Sequence, residues 1–160
     1  EYFSNWIHAA LRAMLDYRPF DGDYEALGAE LSPPASGSEV MRSIFLLERL
    51  GMIRRTGTGY DVLDTHLHSG DDWKAEAIKT FQKSTMDLAM RSLDAVPPSL
   101  RDISTMTMNI DGRTLAELKG MVRQFQEGVA RLVEAAPHSD RVYQVNIQIF
   151  PLSRNHGDES

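Results

Sequence analysis

One junction constrains the fold of this chain more than any other feature: Leu50-Gly51-Met52-Ile53, where a helical pattern ends and a strand pattern begins. Glycine suits this position because the left-handed turn that closes a helix disfavours a Cβ atom. Upstream of the junction, apolar residues recur every three or four positions, which predicts three successive amphipathic helices. The predicted helices cover residues 2–17, 23–31 and 38–50.

Downstream of the junction, two short strand patterns flank the loop Thr56-Gly57-Thr58-Gly59. They cover residues 52–55 and 60–64, and their spacing predicts a β-hairpin. Three helices followed by a hairpin is the element order of a winged helix-turn-helix. We therefore predict a winged-helix domain at residues 1–66.

Two polar residues are candidate caps for the predicted helices. Asp23 precedes the second helix and can accept hydrogen bonds from its first amides. Ser38 is placed to cap the third helix, with the acidic Glu39 in its first turn. The sequence therefore predicts that the third helix begins at Ser38.

The second half of the chain combines helical and strand patterns. Residues 72–95 and 113–135 carry apolar stripes at helical spacing, which we interpret as core-facing. Residues 103–110 and 142–150 alternate apolar and polar side chains, which predicts strands with one solvated face. Two strands alone make a poor sheet, so we expect a third strand from a symmetry-related copy or from the hairpin.

The predicted fold class is therefore α+β, with a winged helix-turn-helix followed by an α-β-α-β unit that contains a small sheet. We expect the winged-helix domain at residues 1–66 and an α-β-α-β regulatory or dimerisation domain at residues 67–152. Residues 153–160 are polar and are predicted to form a flexible tail.

The charge of the chain argues against a strongly basic nucleic-acid binder. The net charge of the 160 residues is −6. Residues 1–66 carry 6 Arg and no Lys against 10 acidic residues, and residues 67–160 carry 11 basic against 13 acidic residues. Neither half therefore has the bulk positive charge that attracts nucleic acid.

The composition also limits the cellular setting. There is no cysteine, which excludes a disulfide framework and a thiolate metal site. No apolar run approaches the roughly 18 residues that a membrane span requires, and no signal-peptide pattern is present. We expect a cytoplasmic protein without a membrane partner. Because the chain begins with Glu1 and not with Met, we expect it to be a fragment of a longer protein.

The outward face of the third predicted helix is the first candidate site. Arg42 and Arg49 are candidate DNA contacts, because arginine side chains bind base edges and phosphates. Phe45 and Leu46 flank them and are unusual on a surface that enters a DNA groove, so they are interface candidates. Together with the acidic charge of residues 1–66, they favour a packing role for this helix over DNA recognition.

The tip of the predicted hairpin is a second candidate. Arg54 and Arg55 make it locally basic, and such a tip could contact phosphates or the minor groove. A solvated hairpin tip is the interpretation that we favour. The Gly57-Thr58-Gly59 run is not a phosphate-binding loop, because it does not open a helix.

The polar faces of the two predicted strands form a third candidate. Side by side, the strands would present an uncharged surface rich in amides and hydroxyls, made of Thr105, Thr107, Asn109, Gln144, Asn146 and Gln148. We favour a solvent-facing sheet surface, with a small-ligand site or an interface as the alternatives. The lack of charge mildly favours an interface over free solvation.

Metal and enzyme chemistry have little support in the sequence. His66 and His68, with Asp71 and Asp72 nearby, have ligand-like spacing, but no third ligand is evident and the aspartates suit a helix cap better. No nucleophile, zinc-protease or dinucleotide motif is present. We expect no bound metal, no cofactor and no enzymatic activity.

Three blocks of the chain carry a family resemblance: residues 1–6, residues 65–71, and the ending Asp140-Arg141-Val142-Tyr143-Gln144-Val145-Asn146-Ile147-Gln148-Ile149-Phe150-Pro151-Leu152. Together they resemble an uncharacterised bacterial family, domain of unknown function 4423, known as a large paralogous set of predicted helix-turn-helix regulators in Fibrobacter. The resemblance implies that this is the C-terminal part of a transcription regulator with a separate helix-turn-helix upstream of Glu1. It implies no catalytic or ligand-binding residues.

These observations predict a non-enzymatic regulatory or dimerisation region of a bacterial transcription regulator. Self-association is the expected partnership, and DNA is expected to bind through an upstream domain that is not in this chain. Direct DNA binding by the winged helix and sensing of an unknown small ligand on the polar sheet face are the alternatives. An enzyme of unrecognised type is the last of them.

Overall fold

The computed structural model describes residues 1–63 and 71–154. In this part of the chain the fold is mixed, with five α-helices and one small antiparallel sheet, which agrees with the α+β prediction. The elements are α1 (Trp6–Leu15), α2 (Tyr24–Ala29), α3 (Gly37–Arg49), β1 (Ile53–Arg55), β2 (Tyr60–Val62), α4 (Asp71–Ala95) and α5 (Gly112–Glu134), with short 3₁₀ turns at Tyr2–Ser4 and Pro98–Leu100.

The core lies among α1, α2, α3 and β1. Leu11, Ile44 and Leu47 are completely buried, as expected for apolar residues that repeat on one helical face. Burying a side chain of this size stabilises a fold by about 1.5–3 kcal/mol. The remaining apolar members are Ile7, Met14, Leu15, Leu27, Leu31, Ala35, Val40, Met52 and Ile53.

The start of α3 differs from the prediction. Its N-cap is Ser36 and not Ser38: the Ser36 side chain accepts a hydrogen bond from the Glu39 amide, and the Glu39 carboxylate accepts one from the Ser36 amide. This reciprocal arrangement requires Glu or Gln three residues after the cap. Ser36 has Glu39 at that distance, whereas Ser38 has Met41. By contrast, Asp23 caps α2 as predicted.

The hairpin follows α3 after a tight turn. Gly51 has φ +67°, the left-handed conformation that the sequence predicted for this position. β1 and β2 pair antiparallel, with Ile53 opposite Val62. The guanidinium of Arg12 donates a hydrogen bond to the Leu63 carbonyl at 2.8 Å, which ties the end of the hairpin to α1.

The chain forms two compact units. Unit 1 comprises residues 1–102 and 136–144, and unit 2 comprises residues 103–135 and 145–160. The predicted boundary between residues 66 and 67, as well as most of the predicted tail at 153–160, lies outside the described residues. The division into a winged-helix domain and an α-β-α-β domain stays a prediction.

Within unit 1, α4 packs against the start of the chain. The rings of Phe3 and Phe81 meet edge to face, with their centroids 5.6 Å apart. Thr85 is buried on the same helix. Much of the predicted apolar stripe of α4 is nevertheless exposed, including Ile78 and Leu93.

Within unit 2, α5 contradicts the prediction of a core-facing stripe. The helix has 23 residues and its apolar side chains do lie on one side, yet none of its residues is buried. Helical spacing shows which side chains share a face, but it does not show that the same chain covers that face. Here the described part of unit 2 supplies no such cover.

The two strands predicted in the second half are also not formed. Among the described residues, strand structure is confined to β1 and β2, and neither 103–110 nor 142–150 belongs to a sheet. Alternation sets the two faces of a strand, but a strand forms only when a neighbouring backbone completes its hydrogen-bond ladder. The small sheet predicted for the α-β-α-β unit is therefore not formed among the described residues.

No helix in the described ranges combines the length and the apolar character that crossing a membrane requires.

Candidate functional site

The outer face of α3 is formed by the residues that the sequence placed there. Val40, Ile44 and Leu47 point into the core, so Arg42 and Phe45 lie on the opposite side, where both are exposed. The Phe45 side chain retains 54% of its accessible surface. Leu46 differs from the prediction of a flanking exposed residue, because it is only half-exposed.

The two candidate DNA-contacting arginines of α3 already bind groups of their own chain. Arg42 Nε donates to the Ser38 carbonyl one turn earlier, at 3.1 Å. Arg49 forms an ion pair with the Glu1 carboxylate. Both groups are exposed, and an exposed ion pair contributes about 0–1 kcal/mol, so these contacts reduce the availability of the cations without abolishing it.

The hairpin arginines differ from each other. Arg54 pairs across the strands with Asp61, with 3.0 Å between Nη2 and Oδ2, because the strand register places the two residues opposite one another. Arg55 is exposed on the same strand and lies opposite Tyr60. The predicted basic tip is thus partly neutralised by an adjacent carboxylate.

Unit 2 carries the largest set of exposed apolar side chains. Each retains between 39% and 78% of its accessible surface. We call this set the unit-2 apolar surface; it consists of Ile103, Met106, Met108, Ile110, Met121, Phe125, Leu132, Val133, Val145, Ile147, Ile149, Phe150 and Leu152. Exposed apolar side chains in such number are a feature of interaction sites on soluble proteins.

The helix α5 contributes to this surface along one edge of its stripe. Leu115, Leu118 and Val122 are half-exposed. Met121 and Phe125, which are one turn apart, are 63% and 55% exposed. The exposed edge therefore carries side chains of the size that usually anchor an interface.

The candidate polar sheet face is not assembled in the structure. Thr105, Thr107 and Asn109 are exposed in unit 2, with Gln148 exposed and Asn146 half-exposed in the same unit. Gln144 belongs to unit 1. Since no sheet includes these residues, they do not share a strand face, and their role in binding a ligand or a partner stays a prediction.

A buried polar pair was missed by the sequence prediction. His8 Nδ1 lies 2.8 Å from Ser43 Oγ, and both residues are buried between α1 and α3. The spacing of His8 from Leu11 and Leu15 places it on the inner face of α1, which was the available signal. Burial lowers the pKa of the imidazole.

Metal binding has no geometric support in the part of the chain that the structure describes. No cluster of three or more His, Asp or Glu side chains could hold an ion there. The candidate pair His66 and His68 lies outside the described residues.

No curated protein and no solved structure matches this chain. A family model described as "Domain of unknown function (DUF4423)" matches residues 1–152, nearly the whole chain. The chain therefore belongs to the family of domain of unknown function 4423.

Proposed function

We propose that this chain is a regulatory and dimerisation region of a bacterial transcription regulator, has no enzymatic activity, and associates with itself through unit 2. The observation that carries the proposal is the exposure of the unit-2 apolar surface, above all on α5. An amphipathic helix gains most of its stability from packing its apolar face. A helix of 23 residues with none buried is therefore expected to find its cover in another molecule.

The size of this surface fits a dimer. At roughly 100 Å² for each partly exposed side chain, it offers on the order of 1,000 Å², which exceeds the about 800 Å² that each partner buries in a standard interface. Its members also include Phe and several Met residues, which are enriched at interface cores.

We interpret α1, α2, α3 and the β1–β2 hairpin as a winged helix used for packing. Their order supports this interpretation, and so does the left-handed Gly51 between α3 and β1. The ion pairs of Arg49 and Arg54 with carboxylates, and the exposed Phe45, argue against a surface built for phosphates. On this proposal the main DNA contact belongs to a segment upstream of Glu1.

Direct DNA binding by α3 is the second candidate. It is favoured by Arg42, whose exposed guanidinium donates to a helix carbonyl and is not held by a carboxylate at ion-pair distance in the described residues. Arg55 on the hairpin is similarly exposed. Of the four candidate arginines on α3 and the hairpin, these two are the ones that a phosphate could bind without displacing an ion pair.

Two measurements on the chain distinguish the candidates. Light scattering tests self-association, and fluorescence anisotropy with a labelled mixed-sequence duplex at low and moderate salt tests DNA binding. The proposal predicts a dimer with no salt-sensitive anisotropy change. A monomer that binds the duplex, with binding lost at higher salt and in the Arg42→Ala/Arg55→Ala variant, contradicts it.

A further inference from the structure

We propose that residues 103–110 form an antiparallel strand pair with the same residues of a second copy, across a twofold axis. This inference rests on the proposed self-association of unit 2 and names the backbone contact that produces it. The result is a short intermolecular sheet, whereas in the described part of the single chain this segment belongs to no sheet.

The side chains of this segment have the pattern of a strand with one buried face. Met106, Met108 and Ile110 alternate with Thr105, Thr107 and Asn109. The apolar set is exposed, with Met106 retaining 78% of its accessible surface. Alternation of apolar and polar side chains has no function in an irregular segment. It is required where every second side chain enters an apolar interface.

The backbone of this segment has no partner in the described part of the chain. No hydrogen bond joins residues 103–110 to any other described residue, and no sheet includes them. Eight consecutive residues without proline offer their N–H and C=O groups in this way. A second strand would satisfy them through a ladder.

The segment also lacks the features that prevent edge pairing. Strands that remain unpaired at an edge are usually protected by lysine, proline or inward-pointing charge. Residues 103–110 read Ile-Ser-Thr-Met-Thr-Met-Asn-Ile, with no charged residue, no proline and no glycine. Nothing in this sequence opposes pairing with an identical strand.

A second copy is the occupant that these features favour. A twofold interface brings each residue of a patch close to the same patch of the partner, so a charged segment would repel itself. This segment is uncharged and therefore compatible with its own copy. The exposed stripe of α5 lies in the same unit and supplies further apolar area.

The test combines light scattering with amide hydrogen exchange. The exchange of each amide is measured by NMR at protein concentrations above and below the dimer dissociation constant. In a two-stranded antiparallel pair, every second residue bonds across the strands. The inference predicts that alternate amides in 103–110 become protected in the dimer and exchange quickly in the monomer. A dimer in which the amides of 103–110 all exchange quickly overturns the inference and leaves the proposed function standing. A chain that stays monomeric overturns both.

Proline variants give an independent result. Thr107→Pro and Met108→Pro each remove one backbone N–H, and only one of these two consecutive positions lies in the bonded set. We expect one proline variant to weaken the dimer at least tenfold relative to its matched alanine variant, Thr107→Ala or Met108→Ala. Retention of the helical circular dichroism signal verifies folding. Equal dissociation constants for both proline variants and their alanine controls overturn the inference.

Discussion

The His8 imidazole lies 2.8 Å from the Ser43 hydroxyl and joins α1 to α3 inside an otherwise apolar core. Removing the hydroxyl leaves a buried ring nitrogen without this partner. We expect Ser43→Ala to reduce the free energy of unfolding by about 1–3 kcal/mol, measured by urea denaturation. A matched change at the exposed Ser38, Ser38→Ala, is expected to cost less. Equal stability of Ser43→Ala and the unmodified chain would show that the hydrogen bond contributes nothing.

The same pair predicts a pH dependence. Burial lowers the pKa of His8 below its ordinary value of 6.5, so the folded protein binds fewer protons here than the unfolded chain does. This contribution to stability is fully present above that value and is lost as the pH falls below it. Thermal unfolding at about pH 7.5 and about pH 5.5 checks it, since these values lie on either side of the ordinary histidine pKa. In His8→Gln, which cannot titrate, the difference in melting temperature between the two pH values is expected to shrink.

The N-cap of α3 predicts that alanine substitutions at two nearby serines reduce stability by different amounts. Ser36→Ala removes the oxygen that accepts from the Glu39 amide and is expected to reduce the free energy of unfolding by about 1 kcal/mol. Ser38→Ala leaves this hydrogen bond intact and is expected to have a smaller effect. Chemical denaturation of both variants measures the difference. A larger loss for Ser38→Ala than for Ser36→Ala would mean that the helix begins where the sequence alone placed it.

We expect the substitution Gly28→Ala to reduce the stability of the fold, even though the residue lies within a helix. A Cβ atom at this position would meet the Ala35 carbonyl oxygen at 2.1 Å, and a backbone atom cannot move aside as a flexible side chain can. We expect Gly28→Ala to cost about 1–3 kcal/mol, which outweighs the gain in helix propensity. The control is Gly57→Ala at the open hairpin tip, where no atom lies within 4 Å of the added Cβ. Thermal denaturation that ranks Gly28→Ala as the more stable variant would contradict the packing of α2 on residue 35.

The first half of the fold could be predicted from the sequence because its signals are local and its apolar faces cover one another. Helical spacing, the Asp23 cap and Gly51 each depend on a few neighbouring residues, and the structure confirms them. The cap of α3 was misplaced because two serines precede the helix, and Glu39 selects Ser36 through the spacing of a capping box.

The second half could be predicted only in part. The helix α5 lies where its periodicity placed it, yet its stripe is uncovered, and the alternating residues 103–110 form no strand. Periodicity reports which side chains require a common apolar environment. It does not report whether that environment belongs to the same chain, so it could predict neither the exposure of α5 nor the absence of a sheet among the described residues of the second half.

The candidate site could likewise be predicted only in part. The sequence placed Arg42 and Phe45 on the outer face of α3, and the structure agrees. It could not foresee the ion pairs of Arg49 with Glu1 and of Arg54 with Asp61, because the first joins residues distant in sequence and the second depends on the strand register.

Sedimentation velocity tests the central claim, self-association through the unit-2 apolar surface, most directly. The chain is compared with Met121→Glu/Phe125→Glu, which places two charges on the exposed edge of α5, and with Gln124→Glu/Gln126→Glu, which places two charges on exposed polar positions of the same helix. The proposal predicts a dimer for the chain and for the glutamine variant at micromolar concentration, and a monomer for the Met121/Phe125 variant. The proposal is contradicted if the unmodified chain is a monomer. It is also contradicted if the chain and both variants form dimers with equal dissociation constants.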